Sequence, residues 1–313
     1  MTGYLQTPAG DQLWFFNPTS TGYSYNLILN SLSISNAYKL HPFVDLQGQL
    51  HLILLNQAKR AYYLLWDNHS WRRTPLPVTK WDELLTYIDS ANNFHTLAKT
   101  PAGFQYFYSM NKALSAAKRI NIPETCSRPL FFTADQEIIT LYLLDKSGTT
   151  LKVLSASRQT GQVLSADILL KNHSDLILKH WVVEEALILV VKDLSSGYAN
   201  LYLMRIDLLT KKQSVTRSRI FNFDSYSSYH LLADPPTMLL LISSSNDFFY
   251  FSSSDNGQNW TYPQQSHLLS PLTFQEICTI NNRPSSLIGI SSIKGCSLER
   301  PLVISLSELA AIL

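Results

Sequence analysis

Residues 252–260 read SSSDNGQNW and follow the aromatic run FFYF at 248–251. An acid, a glycine and a tryptophan packed among small polar residues suit a catalytic loop, a metal loop or a tight turn. The residue types favour the turn. Asp255 can accept backbone N–H bonds from the residues just after it, as Asx-turns do. Gly257 can adopt a backbone conformation that other residues reach only at a cost. Trp260 then starts a returning strand and can bury a large ring between sheets.

Outward from this stretch, the same plan recurs: an apolar strand, a polar turn, a second apolar strand. YLQTPAGDQLWFFN near the start is echoed by TLAKTPAGFQYFYS from Thr96. Further modules begin at Gly48 (GQLHLILLNQAKRAYYLLWD), Gln136 (QEIITLYLLDKSGTTLKVLS), Glu185 (EALILVVKDLSSGYANLYLMRID), Thr237 and Ser285, giving seven in all. The runs are short, rich in β-branched and aromatic residues, and bounded by Gly, Asn, Asp and Ser, which marks strands. Turns such as DKSGTT and DLSSGYAN supply glycine where a hairpin needs positive φ. A spacing of roughly 45 residues with about four strands per unit is the pattern of a propeller blade. One blade cannot bury both its faces, whereas a ring of blades can.

The sequence therefore predicts an all-β fold, a β-propeller of four-stranded blades occupying residues 1–313 as one domain. Seven blades is the favoured count. Six is the alternative, because the module over residues 100–122 is irregular and its alanines in NKALSAAKRIN favour helix. One short inserted helix is expected from Thr79, where TKWDELLTYIDSA has a Thr-x-x-Asp capping box and Trp81, Leu84, Leu85 and Ile88 at helical spacing. A second helical start is expected at about residues 305–313, with Ser307 as cap, as though a longer parent continued beyond it.

Residues 253–260 fit Ser-x-Asp-x-Gly-x-x-Trp at all four key positions: Ser253, Asp255, Gly257 and Trp260. This resembles the Asp-box, the sialidase-type (BNR) repeat of propeller blades. The resemblance implies that the box joins the third and fourth strands of a blade, lies away from the ligand face, and marks fold rather than chemistry. A worn copy is visible where Asp67 precedes Trp71 by one residue less than the pattern requires. A sialidase would also need an arginine cluster for the substrate carboxylate, a tyrosine nucleophile with a neighbouring glutamate, and an acid. The family's Arg-Ile-Pro start has no match beyond the weak NRP at 282–284.

Composition narrows the remaining classes. Net charge is +2, charged residues make up 15% of the chain, and basic residues cluster no further than pairs such as Arg72–Arg73 and Lys211–Lys212. That argues against a nucleic-acid surface. Cys126, Cys278 and Cys296 are far apart and form no CxxC pair, so neither zinc nor a disulfide framework is indicated. The eight histidines show no HxH or HExxH spacing, and Asp255-Asn256-Gly257 lacks the ligand series of a calcium loop. No phosphate-cradling glycine loop or nucleophile elbow is present. Glu184, Glu185 and Asp45 read as solvated loop charges, and the glycosylation-type sequons at Asn68, Asn172 and Asn259 as chance. No secretory signal or apolar run of membrane-spanning length is seen, so a cytoplasmic chain is expected. No cofactor, metal or catalytic residue is assigned. The expected function is a non-enzymatic scaffold binding a protein or carbohydrate partner, against the alternatives of a sialidase-like glycoside hydrolase and a structural assembly module.

Overall fold

In the computed structural model, residues 3–6, 13–19, 22–27, 37–56, 58, 60–66, 71–78, 80–110, 113–122, 126–171, 175–193, 200–218, 228–243, 248–265, 275–278, 284–289 and 303–305 are described. In the segments before residue 28 and after residue 274, the description covers the backbone only. The described elements are all strands. The chain forms two compact units, residues 1–171 with 279–281, and residues 172–278 with 282–313.

In the first unit, Gly3–Gln6, Leu13–Thr19 and Gly22–Leu27 run antiparallel in succession. The 37–75 sheet is a four-stranded meander of Ala37–Val44, Leu50–Asn56, Ala61–Trp66 and Trp71–Pro75. The 83–120 sheet runs Glu83–Ile88, Phe94–Thr100 and Gly103–Met110, and the last of these pairs with both Ala113–Leu114 and Lys118–Ile120. The 126–171 sheet follows as Cys126–Ala134, Ile138–Asp145, Thr150–Ser157 and Val163–Lys171. The second unit holds a 175–218 sheet of Asp175–Val183, Ala186–Asp193, Asn200–Asp207 and Gln213–Ser218. Its 228–265 sheet comprises Ser228–Asp234, Thr237–Ser243, Phe248–Ser253 and Gln264–Gln265. Gln275–Cys278, Pro284–Gly289 and Val303–Ser305 complete it.

The 37–75 sheet grades from an apolar middle to a wet outer strand, and the 175–218 sheet has the same apolar middle. Leu50–Asn56 and Ala186–Asp193 are buried on both faces over their first six residues, whereas the fourth strand Trp71–Pro75 is largely exposed. A strand apolar on both faces must be covered twice, and neighbouring sheets do this. In the first unit, Phe43, Ile53 and Leu55 of the 37–75 sheet pack with Leu84, Ile88, Phe94 and Phe107 of the next. Leu97, Phe104 and Tyr106 then meet Phe132, Ile139, Leu141 and Leu154 across the following seam. In the second unit, Ile188, Val190 and Leu203 pack with Leu231, Leu240, Phe251 and Trp260.

Polar side chains stitch the same seams. Lys39 Nζ donates to the carbonyls of Trp81 and Asp82 at 3.2 and 3.1 Å. Lys118 Nζ donates to those of Gln159 and Arg158 at 2.7 and 3.4 Å. Arg205 Nε donates to Asn256 O at 3.0 Å. In each case a cation from one sheet satisfies turn carbonyls of the next, groups that strand pairing leaves over.

The helix expected from Thr79 is not formed. Glu83–Ile88 is a strand paired with Phe94–Thr100, and Leu84, Thr86 and Ile88 are its buried positions. Leu84 and Ile88 satisfy both a four-residue and a two-residue period, so the short run was ambiguous. Cross-strand pairing and the β-favouring Thr86, Tyr87 and Ile88 decide it. The alanine-rich 113–117 segment likewise carries a short strand, Ala113–Leu114, and no helix. The TPAG at Thr100–Gly103 is a hairpin turn in which Thr100 Oγ1 donates to Gly103 O at 2.7 Å and Gly103 has φ +107°. Its counterpart at residues 7–10 and the expected helical start after Ser305 lie outside the described residues.

The tightest seam contact is at Gly161, which has φ +72° and whose added Cβ would sit 2.1 Å from Arg119 O. Gly161→Ala is expected to lower stability by about 2 kcal/mol or more, from backbone strain and displaced packing together. Thermal denaturation followed by circular dichroism reads this as a lower Tm.

Candidate functional site

The 253–260 turn joins Phe248–Ser253 to the strand Gln264–Gln265, the third to the fourth of its sheet. Ser253, which is buried, donates its hydroxyl to Asp255 Oδ1 at 2.8 Å and accepts the Gly257 N–H at 2.9 Å. Asp255 also accepts the backbone N–H of Asn259 at 2.9 Å and its side-chain amide at 2.7 Å. Asn256 and Gly257 take φ +56° and +76°. Trp260 lies in the core and donates Nε1–H to Gly257 O at 3.1 Å. A Cβ on Gly257 would reach Ile188 Cδ1 at 3.0 Å and Met238 Sδ at 3.3 Å, so glycine lets the turn close on the neighbouring sheet. Burial alone would raise the Asp255 carboxyl, but the donors on Asn259 and Ser253 hold it below the usual carboxylate range. The Ser253 hydroxyl, both Asp255 oxygens and the Trp260 indole are thus engaged within the turn or its seam.

Asp45, read from sequence as a solvated loop charge, is instead buried. Its Oδ1 accepts the N–H groups of Gln47 and Gln49 at 2.9 and 2.8 Å, and its Oδ2 faces His51 Nε2 at 3.2 Å. His51 Nδ1 lies 2.6 Å from the Tyr63 hydroxyl. The next sheet repeats the arrangement. Asp89 Oδ1 accepts the N–H groups of Ala91 and Asn93 at 2.9 and 2.8 Å, Oδ2 faces His95 Nε2 at 3.1 Å, and His95 Nδ1 lies 2.6 Å from the Tyr106 hydroxyl. At His95, an imidazole that donates to the carboxylate through Nε2 must accept at Nδ1, so Tyr106 is the donor in its pair, whereas His51 Nε2, though close to Asp45, has no hydrogen-bond partner among the described residues. The two sets are joined by Asn92, whose Nδ2 donates to Asp45 Oδ2 at 3.1 Å and whose Oδ1 accepts the Leu46 N–H at 2.8 Å.

Electrostatics agree with the tautomer. Burial, with Asp45 nearby, raises the Tyr63 hydroxyl; burial is also the main cause at Tyr106. Burial lowers His95 more than Asp89 raises it, and the Arg158 charge lowers it further. Burial would raise the carboxyls of Asp45 and Asp89, but the approach of His51 with the donors on Gln49 and Asn92, and the donors on Asn93 and His95, hold both low. The second set is therefore an ionised carboxylate, a neutral histidine and a protonated tyrosine. A tyrosine–histidine–aspartate relay is a familiar arrangement for activating a nucleophile, yet His95 and Tyr106 have 0% exposure, out of a substrate's reach.

Of the second set, what remains accessible is Asp89, at 20% side-chain exposure, on the rim of a cleft of about 600 Å³ in the first unit. Asn93, Tyr108, Lys118, Asp135 and Arg158 also line it. Arg158 lies 3.9 Å above the Tyr108 ring and donates Nη1–H to Asp135 O at 2.7 Å. A second cleft of about 380 Å³ in the second unit is lined by the exposed turn Glu184–Glu185 with Arg205, Asp207 and Asn256. Among the described residues, no group of three His, Cys, Asp or Glu is placed to hold a metal ion. No helix among them is long and apolar enough to cross a membrane. Asp67, Asn68, Asn172, Asn282, Arg283 and Cys296 lie outside the described residues, as do the side chains of Cys126 and Cys278.

No family model and no curated protein matches the chain by sequence. Solved structures match it by shape. A Kuenenia stuttgartiensis hydrazine synthase superposes with TM-score 0.54 at 9% identity, over 97% of this chain and 95% of that one. A prolyl endopeptidase gives 0.53 at 9%, over 96% and 46%, and the Niastella koreensis GH74 enzyme gives 0.52 at 10%, over 84% and 45%. The chain thus spans about half the length of the last two. At such identity the likeness carries fold alone: this is an all-β chain of blade-like, four-stranded antiparallel sheets of the β-propeller type.

Tyr106→Phe would leave His95 Nδ1 buried without its donor. A loss of about 1–3 kcal/mol is expected in chemical denaturation, with no change in the fold. Acid stability follows from the histidines. Burial brings His41, whose Nε2 lies 3.1 Å from Thr86 Oγ1, down to about 4, and His230 likewise to about 4, from 6.5 when unfolded. Between those values the unfolded chain binds protons that the folded chain refuses, so stability is full above pH 6.5 and falls as pH drops toward 4. Tm measured from pH 8 to 4 should show this fall, and His41→Gln should flatten it.

Proposed function

We propose that the chain is a non-enzymatic propeller scaffold that binds a protein or glycan partner on the turns at the ends of its blades. The observation that supports this most is the burial of His95 and Tyr106: the groups best suited to chemistry are saturated by one another and closed to solvent. Rigid repeats that hold polar turns in place are a common platform for recognition. The seven-blade count and the Asp-box kinship of residues 253–260 belong to this reading, in which Ser253, Asp255, Gly257 and Trp260 fasten a turn. The hydrolase alternative asks for a tyrosine beside a glutamate, whereas Tyr63 and Tyr106 are each bound to a histidine.

The purified chain should be screened on glycan and peptide arrays and against fluorogenic sialosides, other glycosides and prolyl peptides. Binding to one ligand class without turnover is expected. Turnover that disappears in Asp89→Asn would overturn the proposal.

A further inference from the structure

The arginines at the two clefts differ in what they face. Arg205 in the second unit is spent: its Nε donates to Asn256 O at 3.0 Å and its Nη2 lies 3.7 Å from Asp207 Oδ2. Arg158 in the first unit has no carboxylate within ion-pair distance among the described residues. It rests on the Tyr108 ring, its Nη1 is tied to the Asp135 carbonyl, and its other N–H donors are left over at the cleft. The guanidinium is therefore held in one orientation before any ligand arrives.

The carboxylates nearby are already engaged. Asp89 accepts from Ala91, Asn93 and His95, and Asp135 Oδ1 accepts the N–H groups of Glu137 and Ile138 at 2.8 and 2.7 Å. Lys118 lines the same cleft, and its ammonium faces only the carbonyls of Arg158 and Gln159. The spare N–H donors of Arg158 and Lys118 thus outnumber the one carboxylate oxygen left open beside them, Asp135 Oδ2. A planar, pre-oriented guanidinium with an ammonium lining the same cleft fits a carboxylate, which a fork of parallel N–H groups binds through both oxygens.

The ring faces distinguish between sources of that carboxylate. Tyr108 is covered by Arg158 and stacks with His95 and Tyr106, while Tyr87 is tilted against His95 and Phe132. With these rings engaged, the cleft offers amides and backbone-like polar groups at Asn93, Gln136 and Gln159, which suit the alternating N–H and C=O of an extended chain. Building on the binding-scaffold reading, we propose that the cleft between the 83–120 and 126–171 sheets binds an acidic peptide segment, with its carboxylate on Arg158 and Lys118.

The test uses the full chain and two fluorescein-labelled octapeptide libraries, one with a central glutamate and one with glutamine there. Methyl glucuronide serves as a free sugar-acid competitor. Fluorescence anisotropy should show the glutamate library binding at least about tenfold tighter, the worth of one charge-assisted pair. Arg158→Gln should erase that preference, and Arg158→Lys should keep only part of it. In the native chain, the glutamate library should protect Arg158 from phenylglyoxal, read by mass spectrometry, so the result does not rest on a variant that fails to fold. Equal binding of the two libraries, no binding of either, or a preference that survives Arg158→Gln overturns the site. Protection by methyl glucuronide without protection by peptide overturns the peptide assignment. Turnover of an array substrate, by contrast, strikes at the scaffold reading and leaves the carboxylate site standing.

Discussion

A strand that is apolar on both faces has to be covered on both, and much of this protein follows from that. Leu50–Asn56 and Ala186–Asp193 carry almost no polar residue over their first six positions. Left alone, either sheet would expose a large apolar face, and burial at about 25 cal/mol per Å² makes that untenable. Within each unit the answer is the next sheet, whose own middle strand has the same need. The cores run across seams instead of lying inside single sheets: Phe43 with Phe94, Tyr106 with Phe132, Ile188 with Trp260.

Seams between twisted sheets leave turn carbonyls and N–H groups without strand partners, and the chain spends its few charges there. Aspartates open turns at Asp45, Asp89, Asp135, Asp145, Asp207 and Asp255, each accepting backbone N–H bonds from residues just beyond it. Lysines and an arginine close the carbonyl side. This use of charge fits a chain in which charged residues are only 15% of the total. Charges that serve turns and seams act locally, on the backbone groups they satisfy.

The strands at Ile138–Ser157 and Ala186–Asp207 were legible because their hairpins carry apolar runs on both sides of a polar turn, a pattern no helix imitates. Glu83–Ile88 was not, because Leu84 and Ile88 fit two periods and the capping residues ahead of them tipped the reading toward helix. Pairing with Phe94–Thr100 is a long-range fact that a local window cannot contain. Asp45 failed for a related reason. An aspartate near glycine reads as solvated, and only the fold reveals that His51 and Asn92 close over it. Yet a signal was present in the sequence. DLQGQLH at 45–51 and DSANNFH at 89–95 share an aspartate six residues before a histidine, with Tyr63 and Tyr106 following at 12 and 11 residues. That shared spacing marks the two sheets as counterparts. The Arg158 cleft has no such signal, since its residues come from five separated stretches, 87–93, 108, 118, 134–136 and 158–159.

The repetition of the Asp–His–Tyr set argues about its meaning. A catalytic relay needs one copy, open to substrate; a packing device can recur wherever the same seam recurs. Here two copies sit at matching positions of successive sheets, stacked against Phe43 and Phe94 in one case and beside Tyr108 and Phe132 in the other. The asymmetry lies at the rim. Beside the first copy, Asn92 reaches across and caps Asp45, so that seam is closed by side-chain amide. Beside the second, the neighbouring sheet offers Asp135 and Arg158, and Arg158 turns onto Tyr108 instead of onto Asp89. A seam closed by internal partners at one repeat and left with spare donors at the next is how a structural repeat acquires a place for something else to bind.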